Sequence, residues 1–320
     1  MRALVTGASG FVGGHLVEAL VAAGDEVRCL MRPRSDRQWL PAAVELTAGS
    51  IEDTPSIERA VTGVDVVYHL AAVTSTADPA DYDRVNRGGV VRLLEALAAQ
   101  APHARLVFCS SLAAGGPARA GRALTEADPP APIGPYGASK AAAERVIEAS
   151  GRSAVIVRPP AVYGPRDRDI LAAFRLATRG LAIRTGPPGQ HLALIHVHDL
   201  ARALAQAGRT PGATGVYYVN GGNYAWEEIT AAIGRAVGRR VHTAALPRLA
   251  LSAAARGARA WARLTGTRPL LTPERALDLV QPAWTCDDAR ARRELGYQPT
   301  IPLERGTRET ASWYRARGWM

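Results

Sequence analysis

Residues 6–16 read Thr6-Gly7-Ala8-Ser9-Gly10-Phe11-Val12-Gly13-Gly14-His15-Leu16. An apolar run at 3–5 precedes them, and a segment of helical periodicity at 12–23 follows. Glycine lets a chain turn tightly and lets its backbone approach a pyrophosphate, and the N–H groups opening a helix face that negative charge. Gly7, Gly10 and Gly13 between a strand and a helix therefore predict a dinucleotide cradle, with Gly7, Gly10, Phe11 and Val12 as contacts.

The alternation continues outward. Strands are expected at 26–31, 44–47, 64–70, 105–110 and 154–158, and helices at 54–61, 82–100 and 136–149. Such alternation gives α/β architecture, a doubly wound parallel sheet of Rossmann type. After Gly164 a Pro/Gly/Arg loop leads to a helix at 170–179, strands at 192–195 and 216–219 around a helix at 199–207, and a mostly helical remainder. The expected division is a dinucleotide-binding domain at 1–165, to which 190–220 return. A smaller, mostly helical substrate lobe would comprise 166–189 and 221–320.

The end of the second strand bears on the cofactor. An acid there accepts from the ribose hydroxyls of NAD. The sequence instead runs Cys29-Leu30-Met31-Arg32-Pro33-Arg34-Ser35-Asp36. Guanidinium groups suit a 2′-phosphate, so Arg32 and Ser35 predict NADP(H), with NAD(H) as the alternative. Surface arginines without a ligand are the plain reading of the same residues.

The chain has 320 residues, 47% hydrophobic and 21% charged, ordinary values for a soluble globular protein. This excludes a disordered tail, a collagen-like repeat and a disulfide miniprotein. Cys29, Cys109 and Cys286 are too few and too far apart for a disulfide frame or zinc cluster, and no metal is expected. Neither a signal peptide nor a spanning helix is read, so a cytoplasmic protein is expected. The net charge is +10, and residues 235–320 carry 16 Arg against 7 acidic residues. A basic end attracts acidic substrates, nucleic acid or anionic membranes. No nucleic-acid motif supports the second, and no nucleic-acid partner is expected. The segment 246–264, rich in Ala, Leu and Arg, predicts an amphipathic helix for lobe packing, with peripheral membrane contact as the alternative.

Of 39 basic residues only Lys140 is a lysine. It stands in Tyr136-Gly137-Ala138-Ser139-Lys140, which puts Tyr and Lys on one helix face. An ammonium nearby favours the phenolate and lowers a tyrosine pKa. Such a tyrosine exchanges a proton with an alcohol oxygen. Ser110 and Ser111 follow a strand end, where ligands of open α/β sheets gather.

These pieces together resemble the extended short-chain dehydrogenase/reductase family, and the resemblance runs along nearly the whole chain. It rests on the glycine loop, His69-Leu70-Ala71-Ala72, Asn86 with Gly89, Ser110-Ser111, Tyr136 with Lys140, Arg158-Pro159-Pro160-Ala161-Val162-Tyr163-Gly164-Pro165, and Leu295-Gly296-Tyr297-Gln298-Pro299. The resemblance implies Tyr136 as general acid/base, Lys140 to lower its pKa and hold the nicotinamide ribose, and Ser111 to orient the carbonyl. Leu70, Ala71 and Ala72 would line the cofactor, and Pro159 to Val162 would meet the nicotinamide. Asn86 would be structural or cofactor-proximal. A homodimer would form through the helices containing 93–97 and 136–147. The acid common near the adenine is replaced by Ser50, followed by Ile51, which is kept as a contact.

Two further departures concern substrate. Ala161 replaces an Asn, and Leu192-Ala193-Leu194-Ile195 replaces a polar run, that sugar-nucleotide members carry. Apolar residues would leave a diphosphate without partners. The expectation is therefore an NADP(H)-dependent oxidoreductase interconverting ketone and alcohol on an apolar or aromatic molecule. An NAD-dependent nucleotide-sugar epimerase or dehydratase is the alternative, and a non-catalytic NADP-binding regulator is a third reading. His196 and His198 are expected to share a strand face, but with no third ligand nearby they read as structural.

Overall fold

The computed structural model describes residues 1–76, 78–119, 121–267 and 271–320. In chain order the elements are β1 (Arg2–Thr6), α1 (Phe11–Ala22), β2 (Glu26–Met31), β3 (Glu45–Ala48), α2 (Thr54–Val61), β4 (Val66–His69), a π-helix (Tyr82–Arg87), α3 (Gly88–Gln100), β5 (Arg105–Cys109), α4 (Leu112–Gly115), α5 (Pro135–Ala149) and β6 (Ala154–Arg158). They continue with β7 (Ala161–Tyr163), α6 (Leu171–Thr178), β8 (Leu181–Arg184), β9 (His191–His196), α7 (Val197–Arg209), β10 (Gly215–Tyr218), β11 (Gly222–Ala225) and α8 (Trp226–Val237). The last are β12 (His242–Ala245), α9 (Arg248–Thr265), α10 (Pro273–Leu279), β13 (Ala283–Trp284), α11 (Ala289–Leu295) and α12 (Leu303–Ala316).

Seven strands form a parallel sheet in the order β10-β6-β5-β4-β1-β2-β3. Successive side chains on a strand point to opposite faces, so each central strand feeds two cores. In β1, Ala3 and Val5 pack with Leu16 and Leu20 of α1 and Leu200 and Leu204 of α7. Leu4 packs on the other face with Ile57, Leu93, Leu97 and Ile147 from α2, α3 and α5. The fold is the expected doubly wound α/β sheet. The chain leaves β1 toward β2 and β3, then returns on its other side with β4. This reversal opens a crevice at the carboxyl ends of β1 and β4, where such sheets bind ligands.

A smaller sheet is organised on β9, with β11 antiparallel on one side and β7 and β13 parallel on the other. Within 190–220, α7 and β10 pack on the large sheet while β9 belongs to the small one. Leu192, Ala193, Leu194 and Ile195 pack inside β9's own surroundings. Their apolarity serves the core, which corrects the expectation that they face a substrate. Phe174, Ile229, Ile233, Leu303 and Tyr314 bind α6, α8 and α12 into a third core. The expected 82–100 helix is split by its π-helical first turn, which carries Asn86. Leu93, Leu97 and Ile147 are buried within the chain.

Candidate active site

The crevice holds two hollows, of about 780 and about 490 Å³, that share Gly7, Ser9, Gly10, Leu70 and Ala72. Gly7 turns with φ +76°, and a Cβ there would stand 2.7 Å from the Ala71 nitrogen. A Cβ on Gly13 would stand 2.1 Å from the Gly7 oxygen. Only glycine permits this closeness of loop, helix and β4. Gly10 caps α1 with no side-chain hydrogen bond, so the first helical turn presents bare N–H groups beside Phe11 and Val12, which line the larger hollow. This backbone cradle fits the pyrophosphate of a dinucleotide.

The smaller hollow collects Arg32, Ser35, Ile51 and Ala71. Ile51 is buried and Arg32 exposed. Arg84, on the same wall, is committed to Glu52 and Asp81. Arg32 has no carboxylate within ion-pair distance among the described residues. The Asp36 carboxylate accepts from the Gln38 backbone and side-chain nitrogens at 3.0 and 2.7 Å.

The larger hollow brings together Ser111, Tyr136, Lys140, Pro159 and Val162. The two adjacent serines differ in what they hold. Ser110 is buried and donates to the Glu144 carboxylate. Glu144 also accepts from Arg158 Nε at 2.9 Å and Nη2 at 2.5 Å, and Arg158 Nη1 donates to the Tyr218 hydroxyl at 2.9 Å. Ser111 caps α4, accepting from the Ala113 nitrogen at 3.1 Å, and lines the same hollow as Tyr136, whose pKa it draws down. The serine beside the phenol is thus Ser111.

Lys140 is buried one helical turn from Tyr136 and donates from Nζ to the Cys109 carbonyl at 2.7 Å. Its ammonium sits 4.6 Å from the centre of the Phe108 ring. Burial pushes its pKa down to about 8, against the raising influence of Cys109 and Glu144. Burial raises the Tyr136 pKa above its ordinary value, while Ser111 and Arg275 pull it down. This corrects the expectation of a lowered tyrosine pKa: desolvation outweighs the neighbouring charges. The phenol is protonated at neutral pH and suited to donating a proton to a carbonyl oxygen.

Asn86 fastens this side of the cleft. Its side chain accepts from the Val73 nitrogen at 2.8 Å and donates to the Val73 carbonyl at 3.0 Å and to Ser139 Oγ at 2.9 Å. Ser139 Oγ donates to the Tyr136 carbonyl at 2.7 Å. Asn86 therefore ties the loop after β4 to the turn that carries the phenol.

The opposite walls carry no signal in the sequence. Residues 166–169 bring Arg166, Asp167, Arg168 and Asp169, α10 brings Glu274, Arg275 and Asp278, and Trp319 comes from the far end of the chain. Arg166 has φ +75°, a left-handed conformation rare for arginine. Its guanidinium donates to Glu18 at 2.6 Å and lies 4.7 Å from the Trp39 ring centre. Burial pushes Asp167 and Asp278 each up to about 6. Nothing in the local sequence marks these as wall residues, because they come from separate segments.

His196 ends β9 and His198 lies in the first turn of α7, which corrects the expectation of a shared strand face, and contrary to the expectation of no third ligand they meet a third side chain. Glu309 of α12 lies with them, the ligand-type atoms all within 4.8 Å of one another. His196 also packs edge-on to Tyr163, and His198 to His15. Burial pushes His196 down to about 3, so it is neutral at physiological pH.

The family model described as NAD dependent epimerase/dehydratase family matches residues 3–219. A ceramide reductase from Caulobacter vibrioides is 33% identical, over 99% of this chain and 95% of that protein. A 4-hydroxy-2-methyl-3-oxo-4-farnesyl-3,4-dihydroquinoline-1-oxide ketoreductase from Stigmatella aurantiaca is 31% identical, over 96% of this chain and 94% of that protein. The crystal structure of UDP-glucose 4-epimerase from Thermus thermophilus, in complex with NAD, superposes with a TM-score of 0.78 at 27% identity, covering 98% of this chain and 99% of that one.

Proposed function

Because the chain belongs to the NAD dependent epimerase/dehydratase family and is an NAD(P)-dependent enzyme of the short-chain dehydrogenase/reductase kind acting on a CH–OH/C=O pair, we propose that it is an NADP(H)-dependent ketoreductase for an apolar substrate. We further infer that it works as a cytoplasmic homodimer joined through the outer faces of α3 and α5, with the small sheet and its helices as the substrate lobe. The observation that carries the substrate reading is the charge of the cleft walls. Asp167, Asp169, Glu274 and Asp278 oppose Arg166, Arg168 and Arg275 there. Arg166 is engaged by Glu18 and Arg275 by Asp169. A nucleotide diphosphate entering these walls would meet four carboxyls and, among the described residues, one arginine without an ion-pair partner, Arg168, whose guanidinium lies over the Trp319 ring, whereas Val162 and Leu200 offer apolar surface. The two relatives' names, a ceramide reductase and a farnesyl-quinoline ketoreductase, point the same way.

In this mechanism Ser111 and Tyr136 bind the substrate carbonyl oxygen. The nicotinamide, when bound, supplies the hydride. Tyr136 donates its phenolic proton to the oxygen as the alcohol forms, and Lys140 holds positive charge beside the phenol to offset the developing phenolate. Pro159 and Val162 form one wall, and the glycine loop fixes the pyrophosphate.

The ammonium of Lys140 is required in this cycle, and its pKa lies near 8. The ketone-reduction rate is therefore expected to fall as pH rises through about 8, because the neutral amine cannot stabilise a phenolate. A kcat profile that stays flat well above that pH would contradict the role given to Lys140.

Arg32 is assigned to the 2′-phosphate. Arg32→Ala is expected to weaken NADPH binding about 10- to 100-fold, the worth of a lost charge-assisted contact, and to leave NADH binding nearly unchanged. Fluorescence titration of cofactor-free protein with both dinucleotides reads this directly. An equal loss for both, or a wild-type preference for NADH, would favour the second reading, the NAD-dependent epimerase or dehydratase that the structural similarity to UDP-glucose 4-epimerase supports.

A further inference from the structure

We propose that α9 lays its outer face on an anionic lipid surface and so holds the cleft beside a membrane. At 3.6 residues per turn, α9 divides into three stripes. Leu251, Ala255 and Ala262 are buried, and Leu251 and Ala255 pack against Ala276 of α10. Next round the helix come Arg248, Arg256, Arg259 and Arg263. Beyond them lies a face of Leu249, Ala253, Ala260, Leu264 and Trp261, all exposed.

The exposure of that face is large: Leu249 86%, Leu264 84% and Trp261 66%. Residues 246–267 hold four Arg and no Asp or Glu. Only Arg259 of the four has an ion-pair partner among the described residues, Glu274. An apolar face with Trp and Leu, bordered by unneutralised arginines, matches the amphipathic helix that lies in a lipid interface. No described helix is long and apolar enough to cross a membrane, so α9 rests on the surface. The charge selects anionic headgroups over a neutral apolar protein partner.

Placement gives the contact a use. The partner of α9, α10, supplies Glu274, Arg275 and Asp278 to the larger hollow. The C-terminal end of α9 also borders a further hollow of about 610 Å³, between Ala262, Arg263 and the loop carrying Val73 and Thr76. A membrane-dissolved substrate would meet the cleft from this side. The docking itself stands apart from the reductase reading and is tested without substrate.

The experiment is flotation of the full chain with vesicles of phosphatidylcholine alone and of phosphatidylcholine with phosphatidylglycerol. Binding on the order of 100-fold tighter to the anionic vesicles is expected, weakening with salt. The variant Leu249→Ser/Trp261→Ser/Leu264→Ser alters only exposed side chains and is expected to keep NADPH affinity while losing the vesicles. Arg248→Gln/Arg256→Gln is expected to weaken binding roughly tenfold or more. Absence of wild-type binding overturns the proposal. Unchanged binding by the serine variant also overturns it, since the overall positive charge would then suffice. So does a self-association in sedimentation that only the serine variant abolishes, with no vesicle binding, because the face would then join two copies of this chain.

Discussion

Tyr136→Phe is expected to lower kcat for ketone reduction about 10²- to 10⁴-fold, the range over which a positioned general acid acts. The substitution removes only the hydroxyl. The ring stays half-buried against the cleft, and the loop contacts through Ser139 and Asn86 involve the Tyr136 backbone and remain. NADPH affinity is therefore expected to change little, so the loss falls on turnover and not on binding. Burial keeps the phenol protonated, which makes it a donor in the reductive direction. Steady-state kcat measured beside a cofactor titration separates the two quantities. Turnover at the wild-type rate would remove Tyr136 from the chemistry.

Glu144→Gln is expected to cost about 3–5 kcal/mol of stability, the range for breaking a buried ion pair from one side. The Glu144 and Arg158 side chains are 3% and 4% exposed, and the pair is bidentate. Losing the carboxylate leaves the Arg158 charge buried without a counter-charge, with only the neutral amide oxygen and the Tyr218 hydroxyl as acceptors, and leaves Ser110 with a weaker acceptor. The pair links α5 to β6 behind the catalytic residues, so the loss is of stability first. Removing both charges is the informative control: Glu144→Leu/Arg158→Met is expected to be less destabilised than Glu144→Leu alone, because no unpaired charge remains. Urea unfolding midpoints of the three variants check this. A wild-type midpoint for Glu144→Gln would show that the pair contributes nothing.

Much of the fold was legible where local pattern and burial agree. β2, β6 and α2 fall at the residues expected, because each is a compact run with one period and clear ends. β9 shows the limit of such reading. Its apolar run identifies a buried strand but not the sheet that buries it, and β9 joins the small sheet through partners as distant as β13. The small strands were invisible for a related reason. β12 is exposed along its length and β13 has two residues, so neither carries an alternation to read. The glycine loop and the Tyr136–Lys140 pair were legible because their chemistry depends on short spacings. The charged walls were not, since residues 166–169, α10 and Trp319 meet only through topology. The direction of the Tyr136 shift was also misread from sequence, which shows Lys140 four residues away but not the desolvation that raises the phenol.

Net reduction of an apolar ketone by NADPH moves a hydride permanently from cofactor to product. The most direct measurement is the mass of the product formed when the enzyme is supplied with NADPH deuterated at the transferable nicotinamide C4 position and a panel of long-chain 3-oxo compounds and UDP-sugars. The expected product is an alcohol from a 3-oxo compound bearing one deuterium on the former carbonyl carbon, with one NADP⁺ formed per alcohol. An unlabelled isomer or dehydration product of a UDP-sugar, with no net oxidation of cofactor and no reduction of the 3-oxo compounds, would contradict it.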